Sequence, residues 1–237
     1  MKKNRIVKML SLCLTVLLLL SLCSCLALGN RFTETDDVTY TFEEKNGILT
    51  ISGNGSMDNY TNPNYVPWYD KRDKIIRVVI ENGVNSIGEC AFYDCDSLTS
   101  IEIPYSVTSI GGSAFCGCDN LTSISIPGNV TIIGFDAFSG CSSLTSISIP
   151  DSVTSIGSQA FKGCRSLTSI SITDSVTRIG SNAFLDCTRL TNIYYSGTKA
   201  HWNKIAKVRG DKNKTVQEIL AFDTGTIHCV DIDIVVE

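Results

Sequence analysis

Histidine is scarce in this chain, with only His201 and His228 among 237 residues. Histidine is the side chain most often used as a general base or metal ligand at neutral pH. His201 lies beside Trp202 with no cysteine next to it, and His228 and Cys229 are predicted to face opposite sides of a strand. The chain also has no zinc-ligand spacing, phosphate-binding loop or serine-centred nucleophile elbow. The sequence therefore predicts no enzyme, no metal site and no cofactor.

Positively charged residues are also few. The chain has 20 lysines and arginines against 24 acidic residues, and four of the basic residues fall before position 9. Without that N-terminal segment the remainder carries a net charge of about −8. Nucleic-acid binding depends on basic patches that neutralise phosphates, so nucleic acid is not predicted as a partner.

A membrane-spanning helix is not predicted either. Residues 9–22 are apolar and follow a basic start, but this stretch is shorter than the ~20 residues that a comfortable span needs. The layout is that of a secretory signal. We predict a signal peptide over residues 1–24 and a linker over residues 25–32.

Residues 22–25 read Leu-Cys-Ser-Cys, which resembles the lipobox of bacterial lipoproteins. The resemblance implies cleavage before Cys25 and lipid attachment at Cys25, which becomes the first residue of the mature chain. A diacylglyceryl group there anchors the protein to the membrane. The alternative is ordinary signal cleavage nearby with Cys25 unmodified, because small residues before the cut are the general pattern of signal peptides.

Against these scarcities stands a 23-residue repeat, present in five copies. The recurring positions begin at Val84, Ile87, Ala91, Phe92, Cys95 and Leu98, and each returns four more times at intervals of 23. A fixed period in this range is typical of a solenoid, in which each unit buries its apolar face against its neighbours. One unit buries too little apolar surface to offset the entropy of ordering it, so the units must stack. We predict an α/β-solenoid.

Within one unit the pattern predicts a short strand, a corner and a short helix. Ser100 and Glu102 are predicted to point outward from the strand. Ile101 and Ile103 alternate with them and point inward, and Pro104 ends the strand because it has no amide to donate. The glycine that follows the last Ile of each unit, such as Gly111 after Ile110, is expected to adopt unusual dihedrals at a corner. The Ala-Phe-x-x-Cys-x-x-Leu stripe predicts a short helix or 3₁₀ turn on the opposite face.

The unit Ala-Phe-x-x-Cys-x-x-Leu-Thr-x-Ile-x-Ile-Pro-x-x-Val-Thr-x-Ile-Gly resembles the BspA-like leucine-rich repeat family. It holds nearly complete from Gly83 to Tyr195, roughly half the chain. The resemblance implies a leucine-rich repeat solenoid on an exported or surface protein that adheres to host or neighbouring-cell proteins. The last unit departs from the pattern, because Thr173 and Ser196 replace the strand-ending proline and Tyr195 replaces an isoleucine.

Caps are expected at both ends of the repeat region, predicted as residues 75–196, because a terminal unit otherwise exposes its apolar face. Residues 33–74 contain two alternating segments, 38–42 and 48–52, joined by an Asn-Gly loop that favours a β-hairpin. Tyr69 falls at the phenylalanine position of the later units. This stretch is the predicted N-terminal cap.

Residues 197–237 are the predicted C-terminal cap. The spacing from Trp202 to Ala206 is helical, and residues 216–220 are expected to continue the helix. Residues 226–230 and 232–236 are predicted as terminal strands.

Cysteine is abundant, and five of the eleven cysteines occupy one position of the repeat. They are Cys95, Cys118, Cys141, Cys164 and Cys187. In-register side chains of stacked strands stay about 4.8 Å apart, which is beyond the usual Cβ separation of a disulfide. We therefore expect buried thiols. Cys90 and Cys116 lie outside this column and are expected to be exposed or paired, with a bridge between them as one alternative.

The acidic residues are interpreted as having no fixed phase in the repeat. No calcium-binding ladder is therefore expected.

The outward strand positions are the predicted binding face, because solenoids present such sheets to partners. They are Arg77, Val79, Ser100, Glu102, Ser123, Ser125, Ser146, Ser148, Ser169, Ser171, Asn192 and Tyr194. Binding hot spots favour Tyr and Arg over Ser, so the two ends of the column are the better candidates. A serine-lined face also suits glycans or weak multivalent contacts. The alternative is a soluble face with no tight ligand.

The sequence predicts a secreted or lipid-anchored bacterial surface protein. Its partner is predicted to be a protein or glycan on a host or neighbouring cell, and its membrane contact to be the lipid at Cys25. The alternative is a structural spacer without a ligand of its own.

Overall fold

The computed structural model describes residues 38–205, 225–231 and 233–236, the last of these by their backbone only. Several sequence predictions lie outside the described residues: the signal peptide, the linker, Cys25, Ala206 and the segment 216–220. Within the described part, no helix combines the length and apolar character that a membrane crossing needs.

Short strands from successive repeats pair mainly in parallel and form one side of the molecule. These are β1 (Thr39–Glu43), β2 (Ile48–Ser52), β4 (Arg77–Ile80), β6 (Ser100–Glu102), β9 (Ser146–Ser148), β11 (Ser169–Ile172), β13 (Asn192–Tyr195), β14 (Gly225–His228) and β15 (Asp233–Val236). Ile170 pairs with both Ile147 and Ile193, so the register equals one repeat period. The outward side chains of these strands are called the strand face below.

The strand face is divided between two sheets. One has the order β1-β2-β4-β6 and the other the order β15-β14-β13-β11-β9. Residues 121–127 lie between them, and they are joined to the second of these sheets by an isolated bridge between Ser123 and Ser146. Ile101 and Ile103 are only half-buried beside this division, whereas Ile170 and Ile172 are 1% exposed. The predicted row of strands is therefore interrupted after β6.

A second set of strands forms an uninterrupted sheet with six members among the described residues. Its strands are β3 (Gly55–Ser56), β5 (Val84–Ile87), β7 (Ser109–Ile110), β8 (Ile132–Ile133), β10 (Ser155–Ile156) and β12 (Arg178–Ile179). Every pairing in it is parallel. We call it the second sheet. Except for β3, its strands come from the Val-x-x-Ile segment of each repeat.

The third side of each repeat consists of turns with i→i−3 bonds, such as that from the Cys118 amide to the Phe115 carbonyl at 3.2 Å. Of the two predicted alternatives, the 3₁₀-type turn is therefore found and the short helix is not. The Phe115 amide donates to the Ala137 carbonyl of the next repeat at 2.8 Å, and Gly117 donates to Ser139 in the same way. Amides used between repeats are not free to form helical bonds within one repeat. Continuous 3₁₀ helices are found among the described residues only at Pro63–Tyr65 and Tyr69–Lys74.

The repeated glycine serves close approach between repeats and not unusual dihedrals. A Cβ on Gly134 would lie 2.6 Å from backbone atoms of Gly111 and Gly112, too close for any side chain. The residues with positive φ stand two positions later, as at Ser113 (φ 52°) and Asp136 (φ 52°). The expected corner exists, but it is formed by the residue two positions after the glycine.

A stack of aromatic rings runs through the core. Phe92, Phe115, Phe138, Phe161 and Phe184 lie with ring centroids 5.3, 5.3, 5.6 and 5.9 Å apart. Trp68 continues the stack at 5.9 Å from Phe92, and its indole N–H donates to the Ala91 carbonyl. Tyr69, predicted for that place, is half-buried under the guanidinium of Arg72. The larger indole covers the end of the stack better than the phenol.

The cysteine column consists of free thiols, as predicted, and four of the five are buried while Cys187 is half-buried. Cys118 Sγ donates to the Phe92 carbonyl at 3.2 Å, and Cys141 and Cys164 make the equivalent bond one repeat further on. Burial raises the pKa of Cys95 to about 12 and that of Cys118 well above its ordinary value. A buried thiol thus packs as a small apolar group while satisfying a carbonyl of the previous repeat.

The two ends of the repeats are covered by different devices. At the N-terminal end β1 and β2 form the antiparallel hairpin, and Tyr40 packs edge-on against Trp68. At the C-terminal end the helix α1 (Lys199–Ile205) begins after Thr198, whose hydroxyl accepts the His201 amide. The Trp202 ring, fully buried, lies 5.1 Å from that of Tyr195. The division into caps and repeat region at the predicted boundaries stays a prediction.

Candidate binding surfaces

The strand face collects the predicted binding residues into two groups rather than one row. The first group is Arg77, Val79, Ser100 and Glu102, and the second is Ser146, Ser148, Ser169, Ser171, Asn192 and Tyr194. Ser123 and Ser125 lie exposed between the groups. The charged and aromatic side chains of the strand face are therefore at its two ends, with serine columns between them.

At the N-terminal end the two charged residues of the strand face neutralise each other. The Arg77 guanidinium forms an ion pair with the Glu102 carboxylate of the next strand, and both side chains are exposed. An exposed pair of this kind contributes little to stability. It also leaves neither charge fully available to a partner, so this end is the weaker candidate.

At the C-terminal end an aromatic cluster lies on the strand face. The Tyr194 ring stacks on the His228 ring with 4.7 Å between centroids, and Tyr194 stays 47% exposed. His228 Nε2 lies 3.0 Å from Asn192 Oδ1 in a hydrogen bond. The sequence did not predict His228 here, because β14 joins β13 after a connection unrelated to the 23-residue period. We call these three residues the end cluster.

His201, the other histidine, has a structural role. Its Nδ1 shares a hydrogen bond of 2.7 Å with the Tyr195 hydroxyl, which fixes α1 against β13. Burial raises the pKa of Tyr195 to about 12, and the nearby Asp174 and Cys229 add to this effect. A tyrosine held neutral in this way is an anchor for the helix and not a proton donor at neutral pH.

A groove of about 900 Å³ lies on the second sheet, and the sequence reasoning missed it. The segment that follows β3, including Asn59 and Tyr60, forms one wall. Ile132 and Phe135 form the other wall and are 49% and 54% exposed. We call this the side groove. The sequence did contain an indication of the groove, because most other repeats carry small or polar residues at the positions of Ile132 and Phe135.

The side groove exists because one position of the repeat changes size from one repeat to the next. Glu89, Gly112 and Phe135 occupy the same phase in successive repeats. The missing side chain at Gly112 leaves a gap between the Glu89 carboxylate and the Phe135 ring. A Cβ at Gly112 would lie 3.4 Å from the Phe135 carbonyl and 3.9 Å from Glu89 Oε1, so the gap has room.

Cys90 and Cys116 are both free and half-buried, so the bridge considered between them is not formed. Burial raises the pKa of Cys116 to about 11, and the pKa of Cys90 is raised by burial and by the charge of Glu89. Cysteine reactivity depends on the thiolate, so neither thiol is poised as a nucleophile.

Three aspartates do recur at one phase, which corrects the sequence expectation. Asp73, Asp96 and Asp119 are 23 residues apart. Burial and the charges of Asp119 and Asp73 raise the pKa of Asp96. Within residues 38–205, 225–231 and 233–236, no group of three or more acidic, histidine or cysteine residues is arranged to hold a metal ion. The column is therefore an acidic edge without a metal-site geometry.

Similarity to known proteins agrees with this architecture. The BspA type leucine rich repeat region matches residues 68–191 in six copies. The crystal structure of a leucine-rich repeat protein from T. pallidum is 25% identical, with a TM-score of 0.55 over 69% of this chain and 81% of that one. No curated protein matches the chain.

A leucine rich cell surface protein from Faecalibacterium prausnitzii is 35% identical, with a TM-score of 0.55. The match covers 74% of this chain but 42% of that protein, which is therefore much longer. The six matching repeats span more than half of the sequence and supply the buried positions described above. The chain thus belongs to the BspA-type leucine-rich repeat family, whose repeats are in general protein-interaction modules.

Proposed function

We propose that the chain is an exported interaction module of a bacterial cell surface, built as a leucine-rich repeat solenoid. The end cluster on the strand face carries this proposal. Tyr194 is exposed, yet its ring is held by stacking on His228, and His228 is held by Asn192. Tyrosine is favoured at binding hot spots, and a ring that is already fixed loses little entropy on binding.

The burial of the recurring apolar side chains supports an interaction role. The recurring apolar residues are buried, with Val107, Phe115, Cys118 and Leu121 all 0% exposed. These residues stabilise the stacking of the repeats, so the binding function is assigned to exposed side chains instead. The described residues also hold no metal-site geometry, and both histidines are engaged with neighbouring side chains. The F. prausnitzii relative, described as a cell surface protein, supports the location.

Export and anchoring complete the proposal. Residues 1–24 act as the signal peptide, and a lipid at Cys25 holds the protein to the membrane. Residues 25–32 link this anchor to an N-terminal cap over residues 33–74. The solenoid covers residues 75–196 and the C-terminal cap residues 197–237. The partner is a protein or glycan on a host or neighbouring cell.

The test of the binding role is a cell-adhesion assay with beads that carry the protein. We expect Tyr194→Ser to reduce bead attachment to host or bacterial cells at least about fivefold, the size of a modest hot spot. Tyr105→Ser is the matched control, because Tyr105 is 72% exposed outside the strand face. Equal attachment of the two variants and the parent would overturn the role of the end cluster. An absence of attachment by the parent would favour a structural spacer.

The test of anchoring uses metabolic labelling with a radioactive fatty acid. Cys25→Ala is expected to abolish labelling and to release the protein from the membrane fraction. Cys23→Ala is the control two residues away and is expected to retain the label. Labelling that persists in Cys25→Ala would refute the lipid site.

A further inference from the structure

Glu89 is the one charged residue among those that line the side groove. Of the residues that line it, none is lysine, arginine or histidine. Glu89 is exposed and has no ion-pair partner among the described residues. Asp58 adds negative charge beside this wall, where burial and the Asp58 carboxylate raise the pKa of Tyr60. The groove is therefore complementary to a cation.

The opposite wall of the groove offers an exposed apolar surface. Ile132 and Phe135 project from one repeat, two repeats away from Glu89. With repeats spaced by about 4.8 Å, the ring and the carboxylate are separated by about 10 Å. The alkyl stem of a lysine or arginine can pack along this surface while its charged head reaches the acidic wall.

One wall is held in place by hydrogen bonds that join β3 and the segment that follows it to the first repeat. Ser56 Oγ donates to Asn85 Oδ1 at 2.7 Å, and the Glu89 amide donates to Asn59 Oδ1 at 2.9 Å. The Tyr60 amide donates to the Glu89 carbonyl at 3.2 Å. A groove fixed in this way requires little ordering when a ligand binds.

We infer that the side groove binds a segment of a partner protein that presents a lysine or arginine beside an apolar residue. The cation lies at Glu89, and the apolar residue and the alkyl stem lie on Ile132 and Phe135. This inference rests on the proposed interaction role and adds a second contact surface with a defined ligand chemistry. It does not depend on the end cluster.

The test uses the full-length protein with labelled isoleucine methyl groups, observed by NMR during titration with short peptides. The probe is acetyl-Leu-Arg-amide, and the matched probe is acetyl-Leu-citrulline-amide, which has the same shape without the charge. We expect the arginine peptide to shift the Ile132 methyl signal and to bind about fivefold more tightly than the citrulline peptide. The Ile76 methyl signal, from a side chain 47% exposed outside the groove, is expected not to move.

Two variants locate the binding. Glu89→Gln is expected to remove the preference for arginine over citrulline. Glu81→Gln is its control, because Glu81 is exposed and does not line the groove. Gly112→Leu is expected to fill the gap and abolish the Ile132 shift. Gly112 does not have a positive φ, so the larger side chain introduces no backbone strain.

Three outcomes would overturn the inference. They are equal affinity for the two peptides, an Ile132 signal that neither peptide moves, and a shift caused by N,N′-diacetylchitobiose but not by the arginine peptide. The last would assign the groove to glycans. A fourth outcome, a concentration-dependent Ile132 shift without any peptide, would also overturn the inference and would assign the groove to a second copy of the chain. Loss of cell attachment in Tyr194→Ser with intact peptide binding would separate this inference from the proposed function.

Discussion

Phe138 and Phe135 belong to one repeat and have opposite environments. Phe138 is fully buried in the aromatic stack, between rings 5.3 and 5.6 Å away. Phe135 is 54% exposed on the wall of the side groove. Phe138 recurs in every repeat, whereas glutamate, glycine or serine stands at the Phe135 position elsewhere. In this protein recurrence marks packing between repeats, and departure from the repeat marks surface chemistry.

The second sheet and the strand face differ in how regularly their threonines bond to the preceding repeat. In the second sheet the amide and hydroxyl of Thr131 both bond to the Thr108 carbonyl, and Thr154 and Thr177 repeat this arrangement. On the strand face Thr99 and Thr145 bond in the same way to the preceding repeat. Among the described residues Thr122 lacks a matching bond to Thr99. The second sheet therefore offers the more continuous support for an irregular groove.

The largest effect is expected from the aromatic pair. Phe138→Ala should lower the free energy of unfolding by about 3–5 kcal/mol, because it leaves a cavity between two rings. Phe135→Ala removes the same atoms from an exposed wall and should change it by less than about 1 kcal/mol. Urea unfolding followed by circular dichroism measures both. Similar losses for the two variants would contradict the contrast between stack and groove.

The second-largest loss of stability is expected at Gly134, with Gly128 as the comparison. A Cβ on Gly134 would meet the backbone of the preceding repeat at 2.6 Å, whereas a Cβ on Gly128 meets only the Tyr105 ring at 4.0 Å. Gly134→Ala should therefore destabilise the protein by about 1–3 kcal/mol through overpacking. Gly128→Ala should be close to neutral. Thermal unfolding compares the two, and a neutral Gly134→Ala would show that the repeats are not in such close contact.

The buried Cys95 predicts how the free energy of unfolding depends on pH, and the half-buried Cys90 is its comparison. Burial raises the pKa of Cys95 from 9.0 to about 12, so unfolding releases its proton in the intervening range. The stability that this neutral thiol contributes is complete below pH 9 and is lost as the pH rises towards 12.

At pH 10 the loss from Cys95 should be about 1.4 kcal/mol, the value of one pKa unit. Relative to the parent, Cys95→Ala should therefore show a flatter loss of unfolding free energy between pH 8 and pH 10. The half-buried Cys90 is the control, and Cys90→Ala should change the slope less. Equal slopes for the parent and Cys95→Ala would rule out the buried thiol as the cause.

The smallest effect concerns the threonines of the two sides. Thr131→Val removes a hydroxyl bonded at 3.2 Å to the Thr108 carbonyl and should cost about 1 kcal/mol. The same change at Thr122, whose hydroxyl donates to no carbonyl among the described residues, should cost little. Amide hydrogen exchange provides a second readout, because the Thr122 amide should exchange faster than the Thr131 amide. Equal protection of both amides would mean that the strand face is continuous.

Most of the repeat was predictable because its physics is local and periodic. The buried positions, the thiol column and the N-terminal hairpin all follow from spacing and turn residues, as for Phe115, Cys118 and the Asn46-Gly47 loop. Of the two alternatives predicted for the third side, a short helix or a 3₁₀ turn, only the turn is found, because amides such as that of Phe115 bond to the next repeat. Tyr69 was misplaced because only packing decides which of two adjacent aromatic residues ends the stack.

The candidate sites were predictable only in part. The sequence pointed to Tyr194 because its position follows from the repeat phase. It missed His228, since the pairing of β14 with β13 has no periodic signal. It also missed the side groove, although Ile132 and Phe135 break the pattern visibly. A break in a pattern shows that a position differs, but not which other residues lie opposite it.

The sequence by itself determined the repeat, its core and its register, because each repeat buries the same side chains against its neighbour at a fixed interval. Only the tertiary structure decided which residues meet across different repeats. It brought Asn59 and Tyr60 into one groove with Ile132 and Phe135, and it placed Tyr194 on His228. The physical reason is that packing between equivalent positions is encoded once per repeat, whereas contacts between non-equivalent positions depend on how the whole stack is assembled.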